Sequence, residues 1–519
     1  MKNKFIMFLF CILHVDFSLG QSSGLLLISN RDSYQNIFSA LVTDSYEIFH
    51  QWDHPSAVHS TAYIQNDSTL IVPLVIDNPL MPIGNKPGGR FQKLSWDNEV
   101  IWDFNFFDTL YTPHHDIEPL PNGNILVICW EVKSREEAIS MGRQTISNEI
   151  WPTMIVELQP PHGNVVWEWH IWDHLIQDID PSLPNYGQIS DHPERFNINL
   201  GAPVGNSNGD WLHVNAIDYN EELDQIIFSS RHMNEIYIID HSTTTGEAAS
   251  SSGGNSGKGG DILYRWGNPM NYGRGTNDDM RIIAPHAANW IKPGYPGGGN
   301  ILIFNNNPVT SNTGVSSEVI EIQPPLNAYG HYFIEEGEKY GPENIFWSHG
   351  GDSSFFSGWQ SDAVRLSNGN TLITVSQQRY IFEVDSLNNI LWDCHTGGNL
   401  GFSDYPLRST KIEFEFFNEN NLSPSIVYNF KLLQNYPNPF NPTTIIHYNL
   451  YENAFVNIVI YDLKGNKVKN LVNNYQNIGQ KVIQWDAKNE QNHRVAAGVY
   501  FYNFQAGEYS QTKKMLLLK

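Results

Sequence analysis

Cysteine is scarce in this chain: Cys11, Cys129 and Cys394 are the three cysteines among 519 residues. Cys11 lies in an N-terminal apolar segment, and Cys129 and Cys394 sit far apart in strand-like stretches. Their number and spacing exclude a disulfide framework and a zinc site built on clustered thiols, and two buried thiols are expected. Positive charge is also thin, with 31 Lys and Arg against 55 Asp and Glu for a net charge of −24. Nucleic acid is therefore not an expected partner, since phosphate-backbone binding needs clustered basic side chains. Long hydrophobic runs are missing too. The one candidate, Phe5 to about Val15 in MKNKFIMFLFCILHVDFSLGQSS, is shorter than the ~20 residues of a membrane-spanning helix. With Lys2 and Lys4 before it and small residues near Gly20 after it, it has the layout of a secretory signal over residues 1–20, cleaved near Gly20 or Gln21. The mature protein is expected to be secreted or displayed at the cell surface, exported through the periplasm, with no stable membrane span. No motif calls for a cofactor or a metal. Calcium suits an acidic exported chain, but no EF-type loop or dense carboxylate motif supports it.

What the chain does have is apolar and aromatic content, 40% and 13%, enough for a sizeable core, and internal repetition. One phrase recurs as LPNGNILVI (120–128), GGGNILIF (297–304) and LSNGNTLIT (366–374). Each pairs Asn and Gly between strand-like runs, which is a hairpin signal. A second phrase places a tryptophan near the end of a strand: NEVIWDF (98–104), GNVVWEW (163–169), DILYRWG (261–267), ENIFWSH (343–349) and NNILWDC (388–394), with a weaker copy in SYEIFHQW (45–52). Together they mark about six units, each long enough for a four-stranded antiparallel sheet. Radial repetition of such sheets is a β-propeller. The expected fold is therefore all-β: a six-bladed β-propeller over residues 25–408 followed by a small C-terminal β-sandwich over residues 430–519. A sandwich array would not explain a tryptophan recurring at one place in every unit; between neighbouring blades it has a packing role. The stretch GEAASSSGGNSGKGG (246–260) reads as a flexible, exposed loop between two strands of one blade.

Past about Arg408 the composition shifts to Asn and Pro, followed by short strands such as TTIIHYNL and AFVNIVIYDL. NYPNPFNPTT (435–444), IYDLKGN (460–466), GVYFYNF (498–504) and the terminal KKMLLLK resemble the C-terminal sorting domain of type IX secretion cargo. That resemblance implies an export tag and the type IX secretion machinery as a partner. A carbohydrate-binding or adhesion module is the alternative.

With the units aligned on their hairpin turns, one position carries His59, His115, His213 and His286, and Ser361 in the last clear unit. The innermost strands of a propeller line its central channel, so these imidazoles should gather at one mouth of it. Imidazole serves metal ligation, proton transfer near neutral pH or nucleophilic attack. Asp116, next to His115, should point to the opposite face by strand alternation. In DWLHVNAIDYNEELDQIIFSSR (210–231), a hairpin centred on Glu222 sets His213 opposite Arg231 and puts Asn215 on the same face. The planar guanidinium of Arg231 fits a tetrahedral oxyanion such as sulfate or phosphate.

HHDIEPLPNGNILV (114–127), DWLHVNAIDYN with SSRH (210–220, 229–232), YRWGNP (264–269), and PHAANWI with NILIFNNN (285–291, 300–307) resemble the bacterial aryl-sulfate sulfotransferases. These are six-bladed propellers that move a sulfuryl group between phenols. The resemblance implies a phenolic sulfate donor, a phenol acceptor and a ping-pong cycle through a sulfohistidine. By resemblance His286 is the nucleophile; His115 and His213 hold the sulfuryl or phenolic oxygens; Arg231 and Asn215 complete the oxyanion site, with His59 and His114 in substrate contact. Proton help could come from His115 or His213. The family's N-terminal dimerisation sandwich and its cysteine pair near the site have no counterpart here. A non-catalytic anion- or glycan-binding surface propeller and a sulfohistidine-type aryl-sulfate hydrolase remain the alternatives.

Overall fold

The computed structural model describes residues 24–76, 87–201, 209–306, 316–327, 330–352, 354–413, 430–432, 435, 437–450, 453–477, 479–506 and 509–518. The signal-like segment 1–20 lies outside them. The chain divides into two compact units, Met1–Phe416 and Phe417–Lys519, and it is nearly all β, 46% strand and 7% helical.

The first unit is a β-propeller, and its described residues include six four-stranded antiparallel sheets. Five follow the chain directly, with innermost strands Tyr63–Ile64, Tyr111–Pro119, Val214–Asn220, His286–Trp290 and Asp362–Arg365. In the sixth, Ser409–Glu413 pairs with Gly24–Arg31, which leads out through Ile37–Val42 and Ile48–His54. The last strand of the unit thus closes on the first. The stretch read as propeller from the sequence stopped at residue 408, one residue short of this strand.

The repeated phrases have physical causes. In the hairpin phrase, Gly123 and Gly369 adopt φ of 87° and 90°, open to glycine at no steric cost. The asparagine that follows turns inward to a carboxylate on the third strand of its sheet: Asn124 to Glu157, Asn300 to Glu321 and Asn370 to Glu383. A charge-assisted hydrogen bond of this kind ties the hairpin to its sheet from within. Three of the recurring tryptophans bury their indoles between neighbouring sheets and donate Nε1–H across the gap: Trp52 to the Ser95 carbonyl at 3.0 Å, Trp266 to that of Pro342 at 3.0 Å and Trp392 to that of Asp44 at 3.1 Å. A buried indole needs such a partner.

The stretch 246–260 does join two strands of one sheet, Glu235–Asp240 and Tyr264–Trp266, and much of it is exposed, but its ends are packed. A short helix, Thr245–Ala248, opens it. The Gly260 carbonyl accepts from Trp169 Nε1 at 2.7 Å. A Cβ on Gly260 would meet the Ala248 carbonyl at 1.9 Å. Its glycines permit close packing where the composition had suggested slack. Cys129 and Cys394 are free and buried, as expected.

The second unit is a β-sandwich of a three-stranded and a four-stranded sheet. Its core mixes aliphatic side chains with the buried aromatics Phe440, Tyr448, Trp485, Tyr502 and Phe504. Among the described residues, no helix is long and apolar enough to cross a membrane.

Candidate active site

The innermost strands do not begin as regular strands. His115, His213, Ala287 and Ser361 all take positive φ, 58°, 51°, 51° and 84°. The ladder slips beside each of the first three, between Pro113 and Ile117, Val214 and Ala216, and His286 and Asn289. A left-handed residue next to a bulge re-aims side chains at a strand end. The conformational counterpart of His115 and His213 is therefore Ala287, and His286 stands one residue before the position that alignment gave it. The side chains converge all the same. The rings of His115 and His213 lie 4.5 Å apart at 68°. His115 is held neutral, its proton affinity pushed well down by burial and then by His213, His114, His59 and His286.

His286 is 5% exposed. Its Nδ1 faces the Asn306 Oδ1 at 2.7 Å, and its Nε2 faces the backbone N–H of Gln360 at 3.1 Å. An amide oxygen only accepts and a backbone N–H only donates, so the proton is on Nδ1 and the lone pair on Nε2. Burial brings its pKa down to about 3, with Arg231 and His213 acting in the same direction against the Asn306 hydrogen bond. Asn306 Nδ2 in turn donates to the carbonyls of Ser357 at 2.7 Å and Gln360 at 3.1 Å.

Opposite His286, the predicted pairing of His213 with Arg231 holds, for Arg231 N donates to the His213 carbonyl at 3.1 Å. It holds because of the bulge: further along the hairpin the pairs shift by one, to Ala216 with Ser229 and Ile217 with Phe228. Arg231 is half-buried and donates through Nη1 to the Gly358 carbonyl at 2.9 Å, and burial lowers its pKa. Two candidate carboxylate partners on the same sheet are engaged elsewhere. Glu235 pairs with Arg265, and Asp218 accepts from Trp290 N. His213 Nδ1 is bonded to Asp210 Oδ2, while Asp210 Oδ1 accepts from Trp130 Nε1 at 3.0 Å. Burial alone would raise Asp210, but the His213 contact and charge bring it below the ordinary carboxylate range.

Four further residues picked out from the sequence have defined surroundings. Asn215 is 3% exposed and has both ends of its amide engaged, donating to the Pro285 carbonyl at 2.8 Å and accepting from Ser229 Oγ at 2.6 Å. It lies in the bulge between Val214 and Ala216 and braces the residue before His286. His114 is 2% exposed, stacked on Trp130 at 4.0 Å with its Nδ1 2.8 Å from that of His115. Asp116 does not leave the centre. It accepts from Tyr63 Oη at 3.1 Å and from Ile217 N at 3.0 Å, and it pairs with Arg408 at 2.6 Å. His59 sits before its strand, its N–H bonded to the Pro73 carbonyl at 2.9 Å and its ring against Gly88.

Arg408, Asn306, Asp210 and the Gln360 amide were not read from the sequence. Asn306 lay inside the quoted NILIFNNN; Arg408 carries no local signal at all. Arg408 also reaches the Asn215 carbonyl at 3.4 Å. With Glu118, Asp218 and Asp362 it lines a cavity of about 770 Å³.

The propeller thus carries a buried histidine with a directed lone pair together with further imidazoles and a half-buried guanidinium. The comparisons assign that propeller to a family. The profile described as Arylsulfotransferase (ASST) matches residues 99–388, more than half of the chain, and one for a secretion system C-terminal sorting domain matches residues 434–518. The chain belongs to the arylsulfotransferase family and ends in a type IX sorting domain, which marks it for export and secretion or surface display. No curated protein matches it. Similar solved structures include a protein of unknown function from Bacteroides caccae (11% identity, 75% of this chain and 99% of the other, TM-score 0.39). A periplasmic gluconolactonase from Pseudomonas aeruginosa (8% identity, 89% and 99%, TM-score 0.34) and a virginiamycin B lyase from Staphylococcus aureus (10% identity, 73% and 87%, TM-score 0.33) are also similar. Likeness this distant carries no functional argument.

Proposed function

We propose that the protein is an exported aryl-sulfate sulfotransferase that works by a ping-pong cycle through a sulfohistidine at His286. The observation that carries this reading is the state of His286, neutral to about pH 3 with its lone pair on Nε2. In the first half-reaction Nε2 attacks the sulfur of a phenolic sulfate, an N–S bond forms, and the S–O bond to the ring breaks. Arg231 holds the sulfuryl oxygens. The Gln360 N–H, relieved of the lone pair it meets at rest, donates to one of them. His213 delivers a proton to the leaving phenolate. Its Nδ1 is braced by Asp210, the arrangement of a base oriented by a carboxylate, whereas buried His115 serves as a neutral hydrogen-bonding group. In the second half a new phenol, whose free pKa is ~10, gives its proton to His213 as its oxygen attacks sulfur and the N–S bond breaks. Positioning and charge stabilisation supply most of the rate, as in phosphoryl transfer.

The test is mass analysis after incubation with an aryl sulfate and no acceptor. An adduct of about 80 Da, the mass of a sulfuryl group, is expected on His286 with one burst of phenol, and an acceptor phenol should discharge it. Absence of both adduct and phenol release sinks the proposal in favour of anion binding. Sustained phenol release without acceptor would identify a hydrolase.

A further inference from the structure

Beside the proposed nucleophile, the channel mouth carries a second group of side chains whose chemistry differs from anion binding. Asp210, His213 and His232 offer one ligand atom each, all within 4.8 Å of one another. The rings of His213 and His232 lie 4.9 Å apart. His232 Nδ1 is 3.2 Å from the Trp211 carbonyl, so Nδ1 carries the proton and Nε2 keeps its lone pair. Asp210 is anchored through its other oxygen by Trp130 Nε1 at 3.0 Å, the kind of outer contact that orients a ligating carboxylate. His232 is exposed and sits on the turn Arg231–Asn234.

We propose that Asp210, His213 and His232 form a site for a divalent transition metal of the zinc type, two imidazoles and one carboxylate with a remaining position open to the channel mouth. The donor set suits such ions and is poor in the oxygens that calcium or magnesium requires. Ligands to zinc sit about 2.0–2.2 Å from the ion, so the three atoms must draw together, and His232 is the exposed member of the three. Binding displaces the proton shared by His213 and Asp210 and releases it to solvent. Where the transferase reading holds, an occupied site takes His213 out of proton transfer, so the metal inhibits. The binding itself does not rest on that reading.

The experiment uses the full chain stripped with a chelator, zinc chloride as the probe, and isothermal titration, with cobalt(II) absorption as a second readout. Wild type should bind one zinc tightly, and His232→Gln should weaken that binding by more than about tenfold. His232→Gln should also lose the cobalt d–d bands of low-symmetry coordination. In activity assays zinc should inhibit wild type, and His232→Gln should keep its metal-free rate and escape inhibition. Equal zinc affinity in wild type and His232→Gln, or no saturable site, overturns the proposal. Binding that depends on His232 in a protein with no transferase activity would leave the metal site standing and remove only the proposed function.

Discussion

At the scale of single residues, the site depends less on which side chains are present than on which nitrogen holds the proton. Repetition pointed to His59, His115, His213 and His286, because four histidines at one repeat position are hard to explain as isolated core residues. Which histidine has its lone pair directed could not be read that way, since it is decided by Asn306 and the Gln360 amide. These reach His286 from other parts of the fold. The partners of Asn215 were hidden for a related reason: it lies in the bulge between Val214 and Ala216, which strict alternation has no way to anticipate. Asn306→Ala should therefore be damaging without touching substrate. It removes the acceptor on Nδ1 and the clamp on the Ser357 and Gln360 carbonyls. The expected result is a fall in kcat on the order of 10–100-fold with little change in KM. The pH profile offers a further check. Wild-type His286 stays neutral down to about pH 3, and the Asn306 hydrogen bond raises rather than lowers that value, so the variant should show no new acid limb above about pH 5. A limb appearing near the ordinary histidine range would mean that Asn306 keeps His286 unprotonated, contrary to the tautomer role.

At the scale of elements, the hairpin and tryptophan phrases were legible because each satisfies a local rule that repeats in every sheet. The slips at the start of the inner strands were not, because a bulge depends on what the strand end must meet. One such meeting is the ion pair of Arg408 with Asp116, whose side chains are 15% and 0% exposed. Arg408 immediately precedes the closing strand Ser409–Glu413, while Asp116 directly follows His115. Burial would lift the Asp116 carboxyl, and Arg408 works against that. Arg408→Met should leave a buried carboxylate without its cation and cost roughly 3–5 kcal/mol of stability. Arg408→Met combined with Asp116→Asn should recover much of it, because no charge is then stranded. Chemical denaturation of Arg408→Met, Asp116→Asn and the double variant measures both quantities. Additive losses in the double variant would mean that the pair is not coupled as its geometry requires.

At the scale of the whole molecule, the change in composition after residue 408 revealed two parts, but not how the first part closes. Strand Ser409–Glu413 pairs with Gly24–Arg31 from the far end of the unit, and no local pattern announces a partner so distant in sequence. Its inward side chains make the pairing more than a backbone contact. Lys411 pairs with Glu383 at 2.8 Å, the two side chains 1% and 0% exposed, and Ser409 Oγ bonds to Thr374 Oγ1 in the neighbouring sheet. A chain ended after Phe416 keeps all six sheets and should retain transferase activity within about twofold, since none of the residues assigned to the chemistry lies in the second unit. A chain ended after Arg408 loses the strand, exposes Gly24–Arg31 as an open edge and strands Glu383 in the interior. Edge exposure favours aggregation, and loss of the buried cation beside Glu383 alone costs about 3–5 kcal/mol. The shorter chain should therefore melt well below the longer one or be recovered insoluble, as thermal circular dichroism and solubility after refolding will show. Equal melting of the two would mean that the six sheets hold together without the strand that joins their ends.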